Sequence, residues 1–270
     1  FTELAPVGRG YISSKERYMH LTTNALVLRE VNYKESDKIL TILTEREGKI
    51  TVSARGCRKK GSPIAAACQL LVWGEFTLYE FKGLWAVKET ASERLFEGIR
   101  TDLDKMALAS YIAEVTETLA EEGQSEPGLL AVALNCLHAL DKLNLPLPQV
   151  KTAFEWRAMA LAGYEPQVAH CPVCGREEPE QPHIHLGEGT IHCAACRDQL
   201  EEGISMPLTA GVLAALRHIM WCPRKRLLAF RLDGEGLSRL SQAGEAYLMT
   251  RLERGFRTLD FYKSITYQLL

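Results

Sequence analysis

Between residues 24 and 90 the apolar positions recur in short alternating runs, the period of half-buried strands. Asn24–Arg29 is a first β-type run. Lys38–Thr44 and Lys49–Ala54 alternate on either side of Glu45-Arg46-Glu47-Gly48, so the pair is predicted to form a hairpin. Leu70–Phe81 is an aromatic-rich run with Gly74 as a bend, and Lys82-Gly83 turns it into Leu84–Thr90. Five short antiparallel strands predict a small barrel of the oligonucleotide/oligosaccharide-binding (OB) type, though an SH3-like barrel fits the pattern almost as well. Past Gly98 the period changes. Met106, Leu108, Tyr111, Ile112, Val115 and Leu119 sit at helical spacing after Thr101-Asp102, with Gly123 as the stop. Further helices are predicted at Leu129–Leu143, Gln149–Ala162, Thr209–Met220 and Leu237–Phe256, with a shorter run after Asp260.

The predicted fold class is therefore α+β and multidomain. Residues 1–20 form an N-terminal extension, 21–98 the barrel, and 99–270 an α-helical domain interrupted by a cysteine-rich insertion at about 168–206. With 46% hydrophobic and 24% charged residues in 270, the chain has the ordinary mix of a globular protein that can bury a core. No window approaches the ~18 apolar residues of a spanning helix, and no solenoid repeat is present. Phe1–Tyr18 lack an apolar h-region and a cleavage site, so they do not read as a signal peptide. With two C-x-x-C pairs among eight cysteines, the expectation is a cytoplasmic, metal-binding chain and not a secreted disulfide scaffold.

Those pairs are Cys171-Pro172-Val173-Cys174 and Cys193-Ala194-Ala195-Cys196, with eighteen residues between them. Each C-x-x-C turn can present two sulfurs to one tetrahedral ion, and this spacing is that of a four-cysteine zinc site. Four thiolates leave no open position for water, so one structural Zn²⁺ per chain is expected. Arg176 and Arg197, each just past a knuckle, are placed to offset the surplus negative charge. His170, His183, His185 and His192 lie nearby and are read as surface or supporting groups, since four cysteines already satisfy the ion.

The net charge of −2 conceals an uneven distribution: +3 over 21–100, −6 over 101–165, −5 over 166–206 and +5 over 207–270. Arg46, Lys49, Arg55, Arg58, Lys59 and Lys60 crowd into fifteen residues beside strands bearing Trp73, Phe76, Tyr79 and Trp85. Cations that track phosphates and aromatic faces that stack bases are what a single-stranded nucleic acid requires. The alternative is a solvated loop over an aromatic core. There is no phosphate-binding G-x-x-x-x-G-K-[ST], no G-x-G-x-x-G, no H-E-x-x-H and no deaminase pattern. Asp233 and Glu235 read as a turn, and no nucleophile stands with a base. The chain is expected not to be an enzyme. A zinc-ribbon protein acting on RNA or transcription, or a metal-assisted enzyme, is the competing reading.

Several of these segments together resemble the bacterial RecO DNA-repair family. They are Ala25–Arg29, Glu35–Thr44 with Gly48-Lys49-Ile50, the basic run Ala54–Lys60, the two cysteine knuckles, and Leu259-Asp260-Phe261 before Lys263-Ser264. The resemblance covers about residues 21–268. It implies an OB fold, a helical domain, zinc in many members, and binding of single- and double-stranded DNA. It further implies annealing of complementary strands and, with RecR and the single-strand-binding protein, help in loading RecA, in a cytoplasmic, nucleoid-associated setting. One partner site is expected on this basis. Arg217, Arg224, Lys225 and Arg226 adjoin a helix bearing Val212, Leu213, Leu216, Ile219 and Met220. If that stripe is partly exposed, it forms a cation-rimmed groove for the acidic, apolar C-terminal tail of the single-strand-binding protein; otherwise it is core.

Overall fold

The computed structural model describes residues 19–200 and 202–266. The expected extension at 1–18 lies outside them, while Met19 and His20 already pair with Glu80 and Tyr79 in the first strand. Five strands, β1 (Met19–Tyr33), β2 (Asp37–Thr44), β3 (Gly48–Ala54), β4 (Trp73–Phe81) and β5 (Leu84–Arg94), close into a barrel. Their order is β1-β2-β3-β5-β4. All neighbours are antiparallel except β3 and β5, which meet in parallel through Val52–Trp85 and Ser53–Ala86. This is the OB-type barrel that the alternation predicts. Ala25, Val27, Leu40, Ile42, Ile50, Val52, Phe76 and Leu78 fill its interior.

A single turn, α1 (Glu97–Arg100), leads into α2 (Leu103–Leu119), capped by Asp102, whose carboxylate accepts from the Lys105 N–H. Then follow α3 (Pro127–Lys142), α4 (Leu147–Leu161), α5 (Ala210–Trp221), α6 (Gly234–Leu252) and α7 (Arg257–Thr266). The helix predicted at Leu237–Phe256 stops early, because Glu253 adopts φ 51° and ends α6. Asp233, read as part of a turn, is the α6 N-cap, accepting from the Gly236 N–H at 2.7 Å. The insertion contributes three short strands, β6 (His183–His185), β7 (Thr190–His192) and β8 (Ser205–Pro207), in the order β7-β6-β8.

Barrel and helices share one core. Leu26, Leu28, Leu43, Leu71 and Trp73 pack in the same cluster as Leu108, Tyr111, Ile112, Phe154 and Trp156. At its centre sits a buried polar network. Lys151 on α4 pairs with Glu155 at 2.8 Å and with Glu245 of α6 at 3.3 Å, and Tyr111 donates to Glu155 at 2.7 Å. Lys263 of α7 closes the network on Glu245. Burial pushes the Glu155 carboxyl up against the pull of Lys151 and the Tyr111 hydroxyl. Burial also opposes the Lys151 charge, but Glu155 and Glu245 outweigh it and hold the ammonium protonated. No helix among the described residues is long and apolar enough to cross a membrane.

Candidate nucleic-acid interface and cysteine cluster

Strand β3 separates the six basic residues that are clustered in sequence. Its alternation turns Ile50, Val52 and Ala54 inward, and Lys49 and Arg55 stand about 20 Å apart at the strand's rise. At one end, the Lys49 ammonium donates to the Glu117 carbonyl at 2.9 Å, and its own carbonyl accepts from the Gly123 N–H. Gly48 beside it has φ 62°, and a Cβ there would lie 1.8 Å from the Gln124 carbonyl oxygen, so only glycine lets the chains approach. Lys49 therefore ties the barrel to the helices and is not free for a ligand. Arg46 stays exposed on the β2–β3 turn, at the same end.

At the other end, Arg55, Arg58, Lys59 and Lys60 are all exposed, and none forms a salt bridge among the described residues. Their loop is held from below. Cys57, Ile64, Ala67 and Cys68 are buried in the barrel core, and burial raises both thiols, Cys68 to about 12. It is also held from the side by the β1–β2 turn. The Asp37 carboxylate accepts from the Gly56 N–H at 2.7 Å and from the Ser36 hydroxyl at 3.1 Å, and the Arg58 N–H donates to the Ser36 carbonyl at 2.9 Å. The Gly56 N–H is the main reason that the Asp37 carboxyl sits below its usual range. Gly56 itself needs its φ of 66° to make the turn.

This docking brings two residues to the loop that the sequence pattern missed. Tyr33 is 48% exposed at the end of β1, and the Lys34 ammonium stands 5.2 Å from its ring centroid. Of the four aromatics expected to stack bases, Trp73 and Phe76 are buried in the core, while Tyr79 and Trp85 are half-buried. The surface formed by Tyr33, Lys34, Arg55, Arg58, Lys59 and Lys60 is thus cationic, firmly backed and furnished with one open aromatic face.

The four cysteines converge as expected. The sulfurs of Cys171, Cys174, Cys193 and Cys196 all lie within 4.8 Å of one another, and Cys174 and Cys193 are 3.7 Å apart. Four sulfurs at ~2.3 Å from a tetrahedral Zn²⁺ would be separated by about 3.8 Å, so the cage has the size of that ion. Two tight turns build it: the Gly175 N–H donates to the Cys171 carbonyl, and the Cys196 N–H to that of Cys193. Burial works to raise the Cys171 thiol, but N–H groups of Cys174, Cys193 and Val173 directed at its sulfur bring it down to about 6. Burial and the neighbouring sulfurs push Cys196 up to about 12. Four thiolates this close together would need a cation between them. Three of the four histidines make bonds outside the cluster: His192 bonds the Cys193 carbonyl and Ser205, His183 stacks on it, and His185 accepts from the Glu188 N–H. Arg176 pairs with Glu180 close to the Cys174 and Cys193 sulfurs.

The expected groove at the second basic segment does not form. Val212, Leu213, Leu216, Ile219 and Met220 are all buried, because α5 turns that stripe onto the core it shares with α4 and α6. Arg217 is consumed by the insertion. It donates to the carbonyls of Val168 at 2.8 Å, Ala169 at 3.0 Å and Glu177, and pairs with Glu178 at 2.6 Å. It fastens the first cysteine turn to α5 and rims no groove. Arg224, Lys225 and Arg226 remain exposed on a short 3-10 turn. A cleft of about 640 Å³ opens between barrel and helices, and two of its lining arginines are paired there, Arg29 with Glu117 at 2.8 Å and Arg254 with Glu114 at 3.4 Å.

Two family models match the chain: Recombination protein O N terminal over residues 19–96, and Recombination protein O C terminal over residues 100–260. Among curated relatives, the DNA repair protein RecO of Acetivibrio thermocellus is 29% identical over 246 residues, covering 91% of this chain and 97% of that protein. That of Desulforudis audaxviator is 30% identical, covering 90% and 96%. That of Alkaliphilus metalliredigens is 26% identical, covering 92% and 100%.

Proposed function

The chain belongs to the recombination protein O family of DNA-repair proteins, and from that premise we propose that it is a non-enzymatic recombination mediator. It binds single- and double-stranded DNA and anneals complementary strands. With RecR it helps load RecA onto DNA coated by single-strand-binding protein, in the cytoplasm and at the nucleoid. The observation that carries this reading is the exposed cationic surface on the barrel, whose four basic residues form no ion pair among the described residues. Arg55, Arg58, Lys59 and Lys60 take phosphates without regard to sequence, and Tyr33, backed by Lys34, offers a face to a base. A mediator must handle any sequence, so contacts to phosphates and to base faces suit it better than contacts to base edges.

Cys171, Cys174, Cys193 and Cys196 would hold one Zn²⁺, whose role is to stabilise the insertion as a folded unit. All four positions of a tetrahedral ion would be filled by sulfur, which leaves no place for substrate or water. Replacing Cys174 and Cys196 with Ser is expected to abolish stoichiometric zinc and increase hydrogen exchange across 170–200. Retained zinc in that variant would overturn the assignment.

The functional test mixes complementary oligonucleotides coated with single-strand-binding protein and follows duplex formation. This protein is expected to accelerate annealing, and the quadruple alanine variant of the loop is expected to lose most of that effect. No acceleration by the wild type, or tighter binding to RNA than to DNA, would move the reading to the RNA-binding alternative.

A further inference from the structure

The exposed basic turn after α5 has lost its expected groove, yet it is a firmly built surface. Arg157 donates to the Ile219 carbonyl and, at 2.8 Å, to that of Cys222, fixing the end of the helix. His218 Nε2 bonds the Arg226 carbonyl at 2.8 Å, Leu227 is buried, and Gln149 holds the carbonyls of Leu228 and Phe230. From this rigid backbone Arg224, Lys225 and Arg226 project into solvent, with no ion pair among the described residues. Trp221, at the end of α5, is 58% exposed, whereas Trp73 and Trp156 are core residues and Trp85 is half-buried.

We propose that Trp221, Arg224, Lys225 and Arg226 form a second single-stranded nucleic-acid site, separate from the barrel loop. The chemistry is that of the first: three unpaired cations for successive phosphates and an open indole face on which a base stacks. An acidic, apolar peptide is the poorer fit. Such a ligand anchors apolar side chains in a groove, and every residue of the adjoining stripe is buried. The site also stands on a different part of the molecule, for α5 packs on α4 and α6, while the barrel strand β1 packs on α2. Two such surfaces let one chain hold two strands at once, the arrangement that annealing needs. This rests on the reading of the barrel loop as a DNA site.

The test counts strands per chain by native mass spectrometry, using the full-length protein and oligo-dT, which cannot pair with itself. Wild type is expected to bind two strands. The variant Arg224→Ala/Lys225→Ala/Arg226→Ala is expected to bind one, as is the barrel variant with Arg55, Arg58, Lys59 and Lys60 changed to Ala. Trp221→Ala should weaken the second strand by about fivefold or more, and Trp221→Phe should restore most of it. Two strands retained by the Arg224/Lys225/Arg226 variant, or a single strand on wild type that the barrel variant loses, would overturn the proposal and leave the barrel site standing. So would a poly-glutamate peptide that binds this turn while oligo-dT does not. Loss of no strand in the barrel variant would instead count against the barrel reading.

Discussion

Lys49 and the four cations beyond Ala54 stand at opposite ends of β3 in contrasting settings, while Arg46, on the Lys49 side, is exposed. At the Gly48 end, Lys49 is bound to the Glu117 carbonyl, and its backbone is bound to the loop after α2. At the Ala54 end, four exposed cations form no ion pair among the described residues, the Arg58 guanidinium donating only to the Lys34 carbonyl at 3.4 Å, over a loop held at Gly56 and Arg58. The same division recurs in the C-terminal basic region, where Arg217 is committed to the insertion and Arg224, Lys225 and Arg226 are not. A run of basic residues is therefore not one surface. What differs is how far each charge is buried in the fold: Lys49 is part-buried and Arg217 mostly buried against carbonyls, whereas the loop cations and the 224–226 turn are exposed.

The comparison is sharpened by breaking committed charges, which should cost stability and leave DNA binding as it was. The largest effect is expected at Lys151, whose removal strands the Glu155 carboxylate in the core. Lys151→Met should lose about 3–5 kcal/mol in denaturant unfolding. Burial already raises the Glu155 carboxyl, and without Lys151 it rises further. A carboxyl raised in the folded state favours folding at low pH and loses that contribution as pH rises through its folded value. The deficit should accordingly be larger at pH 7.5 than at pH 5; a deficit that grew on acidification would contradict the account.

Arg217→Ala comes next. It removes three carbonyl contacts and an ion pair from a mostly buried guanidinium, and about 1.5–3 kcal/mol is expected. The loss should register as faster hydrogen exchange at 168–178, with oligo-dT affinity unchanged. Lys49→Ala should be smaller, about 1 kcal/mol, since the lost bond is single and only part-buried. Its salt dependence of DNA binding should match wild type. A flattened dependence would place Lys49 among the cations proposed to hold the strand.

The sequence made much of this legible, and the misses have identifiable causes. The barrel alternation and the helical periods stood out because each buries one face. The cysteine cluster stood out because its spacing is rare except at a metal. The second half of β1 did not, because a register shift between Val27 and Arg29 breaks the alternation, and the strand continues to Tyr33. That bulge hid Tyr33 and Lys34 from view. Strands of three residues, such as β6 to β8, carry no period to detect. The split of the six basic residues, and the capture of Arg217 by carbonyls up to 49 residues away, are long-range facts that local charge counting cannot supply.

The most direct measurement is the salt dependence of single-stranded DNA affinity for the wild type and for the variant in which Arg55, Arg58, Lys59 and Lys60 are changed to Ala. Each phosphate contact on a single strand contributes a slope of about −0.7 to log affinity against log salt, so the variant should lose roughly two to three units of slope. If affinity fell while the slope stayed at the wild-type value, the loop would be supporting the barrel and not holding the strand.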